Sequence, residues 1–423
     1  MKILVVHQHY LMRGQPGGSR FNELGRLWSE AGHDVTVIAG TVDYLTNETR
    51  PEYRGRWITE ERDGLVRVLR CHVPTTYGKS YAGRMWAFFA FTLSATTAAM
   101  KRLAPDVVVA SSPPLVAVIP GFVASAIGRA PFVFEVRDLW PESAVTTGVL
   151  RATSPLTKAL ELLEKWAYRV SDRINVLTPA FRTDIVRRGL ALESKIVFVP
   201  NGADVDRFAP GPRNNEARKR HGWGDRFVVM YAGAHGRANA VGQLVAAAEL
   251  LRDRTDILIA CAGDGPERPS LEAAAKSQRL DNIAFLGAQP KELMPELVNA
   301  CDVGAAVLQD NPTFRTVYPN KVFDYMACER PTLLAIDGVA RELVCEEAKA
   351  GVFAPPENAR AIADAIVALH RDRDGCERMG KNGRAWVLAN ATRDALASRY
   401  LDVLADLVGA RRRSHEKGAV HAS

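Results

Sequence analysis

The chain has 423 residues, 47% of them hydrophobic and 24% charged. That length and balance exclude a single small core and extensive disorder, and set two or three domains as the expectation. An excess of 55 Lys and Arg over 48 Asp and Glu gives a formal charge of +7, which suits an acidic partner, either nucleotide phosphates or an anionic membrane face; nucleic acid fits the charge equally well, but no motif for it accompanies the charge.

The opening MKILVVHQHY is too short an apolar run for a signal peptide and predicts a first strand at 2–7, with a helix over 19–31. Further strands are predicted at 35–39, 65–71, 106–110, 131–135, 173–177 and 196–199. A second series follows at 227–231, 256–261, 283–286, 303–308 and 331–336. The apolar stretches 86–100 and 115–134 are broken by Thr, Ser, Pro, Gly and Arg and fall short of a membrane span. Strands alternating with helical stretches predict parallel sheets with crossover helices. The Pro-, Gly- and Asn-rich run near 200–222 reads as a linker. The expected fold is α/β, with two Rossmann-like domains facing across a cleft. Their bounds are 1–205 and 206–385, followed by a helix over 386–410 crossing back to the first domain and a disordered tail over 411–423. Six cysteines with no CxxC pair read as free thiols in a reducing compartment, without the spacing of a zinc site.

Four segments carry chemistry. Pro16-Gly17-Gly18-Ser19 ends the first strand's loop and opens a helix; adjacent glycines let backbone N–H groups approach a phosphate at a helix N-terminus. The plainer alternative is a flexible turn with Ser19 as helix cap. In FEVRDLWPES, Glu135, Arg137 and Asp138 follow an apolar strand, at the carboxyl end where open α/β sheets bind ligands; a buried structural ion pair accounts for them equally. In YAGAHGRANAVGQL, residues 231–244, a strand gives way to a glycine loop, and His235 is either a phosphate donor or an exposed loop residue. The nearby AGDGPERPSL reads mainly as structural, with Pro266 suited to a first helical turn. In TFRTVYPNKVFDYMACERPTLL, Asn320 and Lys321 fall in a helix's first turn, and Asp324 lies one turn on along the same face. A lysine there opposes the helix dipole, which points to a diphosphate beside it and to ribose hydroxyls for Asp324; otherwise the two form a surface ion pair.

Taken together, the GG turn, NGADVDRF at 201–208, AGDGP and PNKVFDYMACERP resemble, in order and over 1–405, the retaining GT-B glycosyltransferases of family four. VRDLWPES with TFRTVYPNKVFDYMA is most similar to the bacterial surface-polysaccharide branch that includes N-acetyl-fucosamine transferases. The resemblance implies that Gly17 and Gly18 approach the donor diphosphate and that Asp324, as the second acid of an E-x7-E element, binds ribose. It also places Arg137 and Asp138 near the transferred sugar or acceptor, with Glu135, His235, Gly236, Arg237, Arg315, Thr316 and Asn320 among the substrate contacts. Asn201 and Asp204 shape the hinge. Arg137, Asp138 and Lys321 are the catalytic candidates. Two departures stand out: the first acid of E-x7-E is Thr316, and the family's Arg and Lys after the strand opening domain two are Ala234 and Asn239. Lys321, Arg315 and Arg237 are the candidates to replace that charge.

The function implied is transfer, with retention, of a sugar such as an N-acetylated deoxyhexosamine. The donor is a UDP-sugar and the acceptor a lipid-linked saccharide, in lipopolysaccharide O-antigen or related polysaccharide synthesis. No metal and no cofactor beyond the nucleotide-sugar are expected, and no nucleic acid. The implied location is cytoplasmic, at the inner face of the membrane. Residues 75–102, aromatic with basic edges, read either as a surface resting on an anionic bilayer or as a core helix. The alternatives in other classes are a nucleotide-sugar-binding partner without turnover, supported by Thr316, and a nucleotide-sugar epimerase on the same fold.

Overall fold

The computed structural model describes residues 1–15, 20–43, 48–75, 81–101 and 103–420. The chain divides into two compact units. One contains Met1–Arg13, the chain from Arg20 to Pro200, and the C-terminal stretch from Asp394; the other contains Gly14, Gln15 and Asn201–Arg393.

The first unit is built on an eight-stranded sheet of order β3-β4-β2-β1-β5-β6-β7-β8. Its strands are β1 (Lys2–Val6), β2 (Asp34–Gly40), β3 (Ile58–Asp63), β4 (Val66–Cys71), β5 (Val107–Ser112), β6 (Phe132–Val136), β7 (Arg173–Val176) and β8 (Ile196–Phe198). All pairings are parallel except β3 with β4. Continuous β-branched runs such as Val107-Val108-Val109 are buried throughout, as expected of strands covered by helices on both faces. The helix Arg20–Glu30 turns Phe21, Leu24 and Trp28 inward, at helical spacing. Sequence patterning missed β3: its ITEERD is half exposed and charged, the composition that protects a sheet edge.

The helix Arg393–Val420 packs Leu396, Ala397, Tyr400 and Leu404 into the same core as Trp28 and Phe21. The Trp28 indole N–H donates to the Ala397 carbonyl at 3.0 Å, and the Trp28 and Tyr400 rings meet edge to face. The backbone stays helical to Val420, in place of the disorder expected from residue 411. Ala, Arg, Glu and Lys propagate a helix already anchored by its first turns.

The second unit has a six-stranded parallel sheet of order β11-β10-β9-β12-β13-β14. Its strands are β9 (Phe227–Ala232), β10 (Ile257–Ala262), β11 (Ile283–Gly287), β12 (Val303–Val307), β13 (Thr332–Ala335) and β14 (Gly351–Phe353). Apolar clusters cover both faces, one around Met230, Tyr325 and Met326, the other around Val229, Leu244 and Ile366. Helices here open on the expected caps: Asn358 accepts from the Ala361 N–H and Asp372 from that of Gly375. All six cysteines are free thiols, and Cys345 alone among them is not fully buried. No helix among the described residues is long and apolar enough to cross a membrane.

Candidate functional site

Among the parallel strands of each sheet the order reverses once: between β1 and β5 in the first unit, between β9 and β12 in the second. Loops leaving the carboxyl ends of such neighbouring strands diverge and leave a crevice, the usual ligand site of open α/β sheets. The residues singled out from sequence fall largely at these two places.

In the second unit, β9 runs into Gly233-Ala234-His235 and β10 into Gly263-Asp264-Gly265. The two loops lie backbone against backbone. Gly233 N–H donates to the Ala262 carbonyl, His235 N–H to that of Asp264, and Glu267 N–H to that of His235, each at 2.9 Å. A side chain has no room there: a Cβ on Gly263 would sit 1.8 Å from the Gly233 oxygen and one on Gly265 2.6 Å from that of His235. The AGDGP glycines are therefore structural, as their sequence suggested. Its Pro266 precedes the helix Arg268–Ser277, whose first turn takes Pro269 instead.

His235 is fully buried, not the exposed loop residue that was one alternative. Its ring packs between Tyr231 and Phe285, and both ring nitrogens are buried without a hydrogen-bond partner. Burial, then the nearby Arg268, lowers its pKa, so the ring is held neutral.

Lys321 lies in the first turn of the helix Asn320–Ala327. Its ammonium rests 3.8 Å from the centroid of the Tyr231 ring. A Cβ on Gly233 would lie 2.8 Å from its Nζ, which places the charge directly beneath the glycine loop. Burial lowers its pKa to about 7, opposed by the Cys261 sulfur and by no carboxylate. The Lys321–Asp324 ion pair weighed from sequence is not formed. Asp324 instead shares its surroundings with Lys291, Arg207 and Asp204, and burial raises its carboxyl to about 7 against the pull of the two cations. Asp204 also fixes its own turn, accepting from the Arg207 N–H at 3.1 Å.

The remaining candidates ring this centre more loosely. Gly236 precedes the short turn Arg237–Asn239, and Arg237 is exposed. Arg315 is exposed and paired with Asp310 at 2.9 Å. Thr316 closes the turn Pro312–Thr316, its hydroxyl donating to the Thr313 carbonyl. Asn320 is exposed at the helix start. Of the three cations considered as replacement charge, Lys321 meets the glycine loop, whereas Arg315 is committed to Asp310.

Gly17 and Gly18 lie outside the described residues. Glu135 is completely buried. It takes Arg20 Nε at 3.1 Å and Asn175 Nδ2 at 3.0 Å, while Arg20 donates on to the Val199 and Pro200 carbonyls. This is the buried ion pair weighed as the alternative for Glu135, and it ties β6 to β7 and to the end of β8. Arg137 and Asp138 lie beyond it and are half-buried. Arg137 Nη1 stands 3.4 Å from His7 Nε2. Asp138 is raised to about 6 by burial, with Ser143 and the Leu139 N–H opposing. His7 and His9 are both held neutral by burial and then by Arg137, His9 at about 4. Gln8 is buried with both amide atoms unpartnered, as are the hydroxyls of Ser111 and Ser112 at the end of β5.

The comparisons with known proteins agree in both halves. Residues 17–202 match the model described as a glycosyl transferase 4-like domain, and residues 213–386 match that of glycosyl transferases group 1. The α-D-kanosaminyltransferase of Streptomyces kanamyceticus is 30% identical, over 61% of this chain and 67% of that protein. The chain belongs to the GT-B glycosyltransferases. The putative colanic acid biosynthesis glycosyl transferase WcaI of Escherichia coli is 23% identical, over 77% of this chain and 81% of its own. The crystal structure of Anabaena Alr3699/HepE in complex with UDP shares the fold with a TM-score of 0.71 at 19% identity, covering 96% of this chain and all of that one.

For this glycosyltransferase, sequence reading passed over His7, Gln8, His9 and Ser112. The signal was present: His-Gln-His follows the first strand directly, and polar residues there end a buried run without being needed for the turn. Among the described residues no group of three or more His, Cys, Asp or Glu side chains is arranged to hold a metal ion.

Proposed function

We propose that the protein is a retaining glycosyltransferase that moves a sugar from a UDP-linked donor to a lipid-linked saccharide in bacterial surface-polysaccharide synthesis, working at the cytoplasmic face of the membrane without a metal ion. The observation that carries the donor half is Lys321. A half-buried ammonium at a helix N-terminus, under a glycine loop and opposed by no carboxylate, is costly unless an anion joins it. A nucleoside diphosphate supplies that anion. The N–H groups opening the helix Asn320–Ala327 and Lys321 then stabilise the charge that grows on the leaving phosphate oxygen.

In the transfer step the bond from the anomeric carbon to the diphosphate oxygen breaks. The bond to the acceptor oxygen forms on the same face of the sugar, and the acceptor's proton passes to the departing diphosphate. Asp324 is assigned to the ribose hydroxyls. Arg137, Asp138 and His7, at the switch point of the first unit, are assigned to the sugar or acceptor. The choice of UDP and of a polysaccharide acceptor draws support from the UDP complex of HepE and from the colanic acid role in the name of WcaI.

The deciding experiment is thermal stability with UDP, GDP, ADP and TDP, for the wild type, Lys321→Ala and Asp324→Ala. A nucleotide at a hundred times its Kd stabilises by about 2.7 kcal/mol. One nucleotide should raise Tm in the wild type and less in each variant; no shift with any of the four would remove the donor site. Product anomeric configuration by NMR checks retention, and activity that vanishes in EDTA would overturn metal independence.

A further inference from the structure

The helix Tyr81–Ala99 is apolar on the wrong side for a globular protein. Its inner face is accounted for: Ala87, Phe91, Ala95 and Ala98 are fully buried. Its outer face carries Trp86, Phe89 and Leu93, which with Met100 just past its end are 55%, 58%, 50% and 59% exposed. These residues fall at helical spacing along one line, about 21 Å long at 1.5 Å per residue. The place left in that line by Thr97 is filled from another element. Trp57, 45% exposed, donates its indole N–H to the Thr97 hydroxyl at 2.9 Å. Trp86 and Phe89 stack on each other at 5.5 Å. Scattered single apolar residues on a surface need no explanation, but a contiguous aromatic row does.

The charge around the row selects its occupant. From Gly64 to Pro105 the chain contains no Asp or Glu; of the cations described there, Arg67 and Arg70 are held by Glu60 and Glu61. Lys101 is exposed at the end of the row, and Arg54 and Arg56 are exposed beside Trp57. Glu60, three residues from Trp57, is engaged by Arg67 through both carboxylate oxygens. Tryptophan and phenylalanine in a row with cationic edges match the boundary of an anionic bilayer, where rings enter the headgroup region and Lys or Arg meet lipid phosphate. The helix would then lie in the plane of the interface.

We propose that the outer face of the helix Tyr81–Ala99, with Trp57, Met100 and Lys101, is a docking surface for an anionic membrane. This goes beyond the donor chemistry and is measured without it. The full chain, with neither nucleotide nor sugar present, is sedimented with vesicles of phosphatidylglycerol and phosphatidylcholine, and with vesicles of phosphatidylcholine alone. The wild type should bind the anionic vesicles, release as salt rises, and shift its tryptophan emission to the blue. The double variant Trp86→Ser/Phe89→Ser, whose side chains are exposed and so leave Tm unchanged, should bind at least about tenfold more weakly; Lys101→Glu should weaken binding to the anionic vesicles and leave the neutral ones unaffected. A wild type that stays in the supernatant with anionic vesicles at low salt overturns the proposal. So does a double variant that binds as tightly as the wild type. A dimer that the double variant abolishes would assign the row to a second copy instead. None of these outcomes touches the nucleotide shifts, which stand or fall separately.

Discussion

At the scale of single residues, Lys321 governs how the donor site responds to pH. Its folded pKa, about 7, lies below its ordinary 10.5 because burial penalises the charge. Between those two values the unfolded chain holds a proton that the folded one has lost, so this group's contribution to stability rises with pH over that window. Nucleotide binding runs the other way, since a diphosphate needs the ammonium. Above pH 7 each binding event must take up a proton, and UDP affinity should fall by up to about tenfold per pH unit. Lys321→Arg keeps the charge at every working pH and should flatten that decline in a titration by calorimetry; equal slopes for both proteins would show that Lys321 does not meet the phosphates. Glu135 tests the opposite assignment. Because Arg20 is 6% exposed and Glu135 fully buried, Glu135→Ala leaves a guanidinium without its countercharge and should cost about 3–5 kcal/mol in denaturant unfolding. A stable Glu135→Ala protein that had lost activity would return Glu135 to the substrate site.

At the scale of elements, the glycine loops after β9 and β10 behave as one piece, joined by backbone hydrogen bonds across a gap that excludes a Cβ. Gly263→Ala is expected to force them apart, lowering stability by about 2 kcal/mol or more and weakening UDP binding in the same sample. A variant with wild-type Tm would mean the loops separate freely. This piece was half legible: strand, glycine turn and helix were visible at both places, but nothing in either segment says that one backbone lies on the other. The same limit explains His235, whose burial between Tyr231 and Phe285 depends on a second, distant stretch of chain. Two of the edge strands, β3 and β14, escaped for a different reason. β3 is charged, and β14 is only three residues long, so neither shows the long apolar run that marks a central strand.

At the scale of the whole molecule, the last helix belongs to the unit in which the chain began. Leu396, Tyr400 and Leu404 supply core that the first 200 residues do not. Deleting residues 394–423 should therefore abolish or strongly lower the first unit's thermal transition, and leave that of Asn201–Arg393 nearly in place, in a calorimetric scan. Two unchanged transitions would show the helix to be dispensable. The alternation of buried strands and amphipathic helices, the two series of them, and the identity of Lys321 and Asp324 as marked residues were all determined by the sequence itself, because periodicity and helix-end chemistry are local. The tertiary structure decided the rest. It made Glu135 a strut and left Arg137 and Asp138 beyond it; it parted Lys321 from Asp324, gathered His7, Gln8 and Ser112 at a switch point, and turned an aromatic row outward. Each of these depends on which strands become neighbours and on what lies across the sheet, and burial and partner choice are fixed only by contacts between residues far apart in the chain.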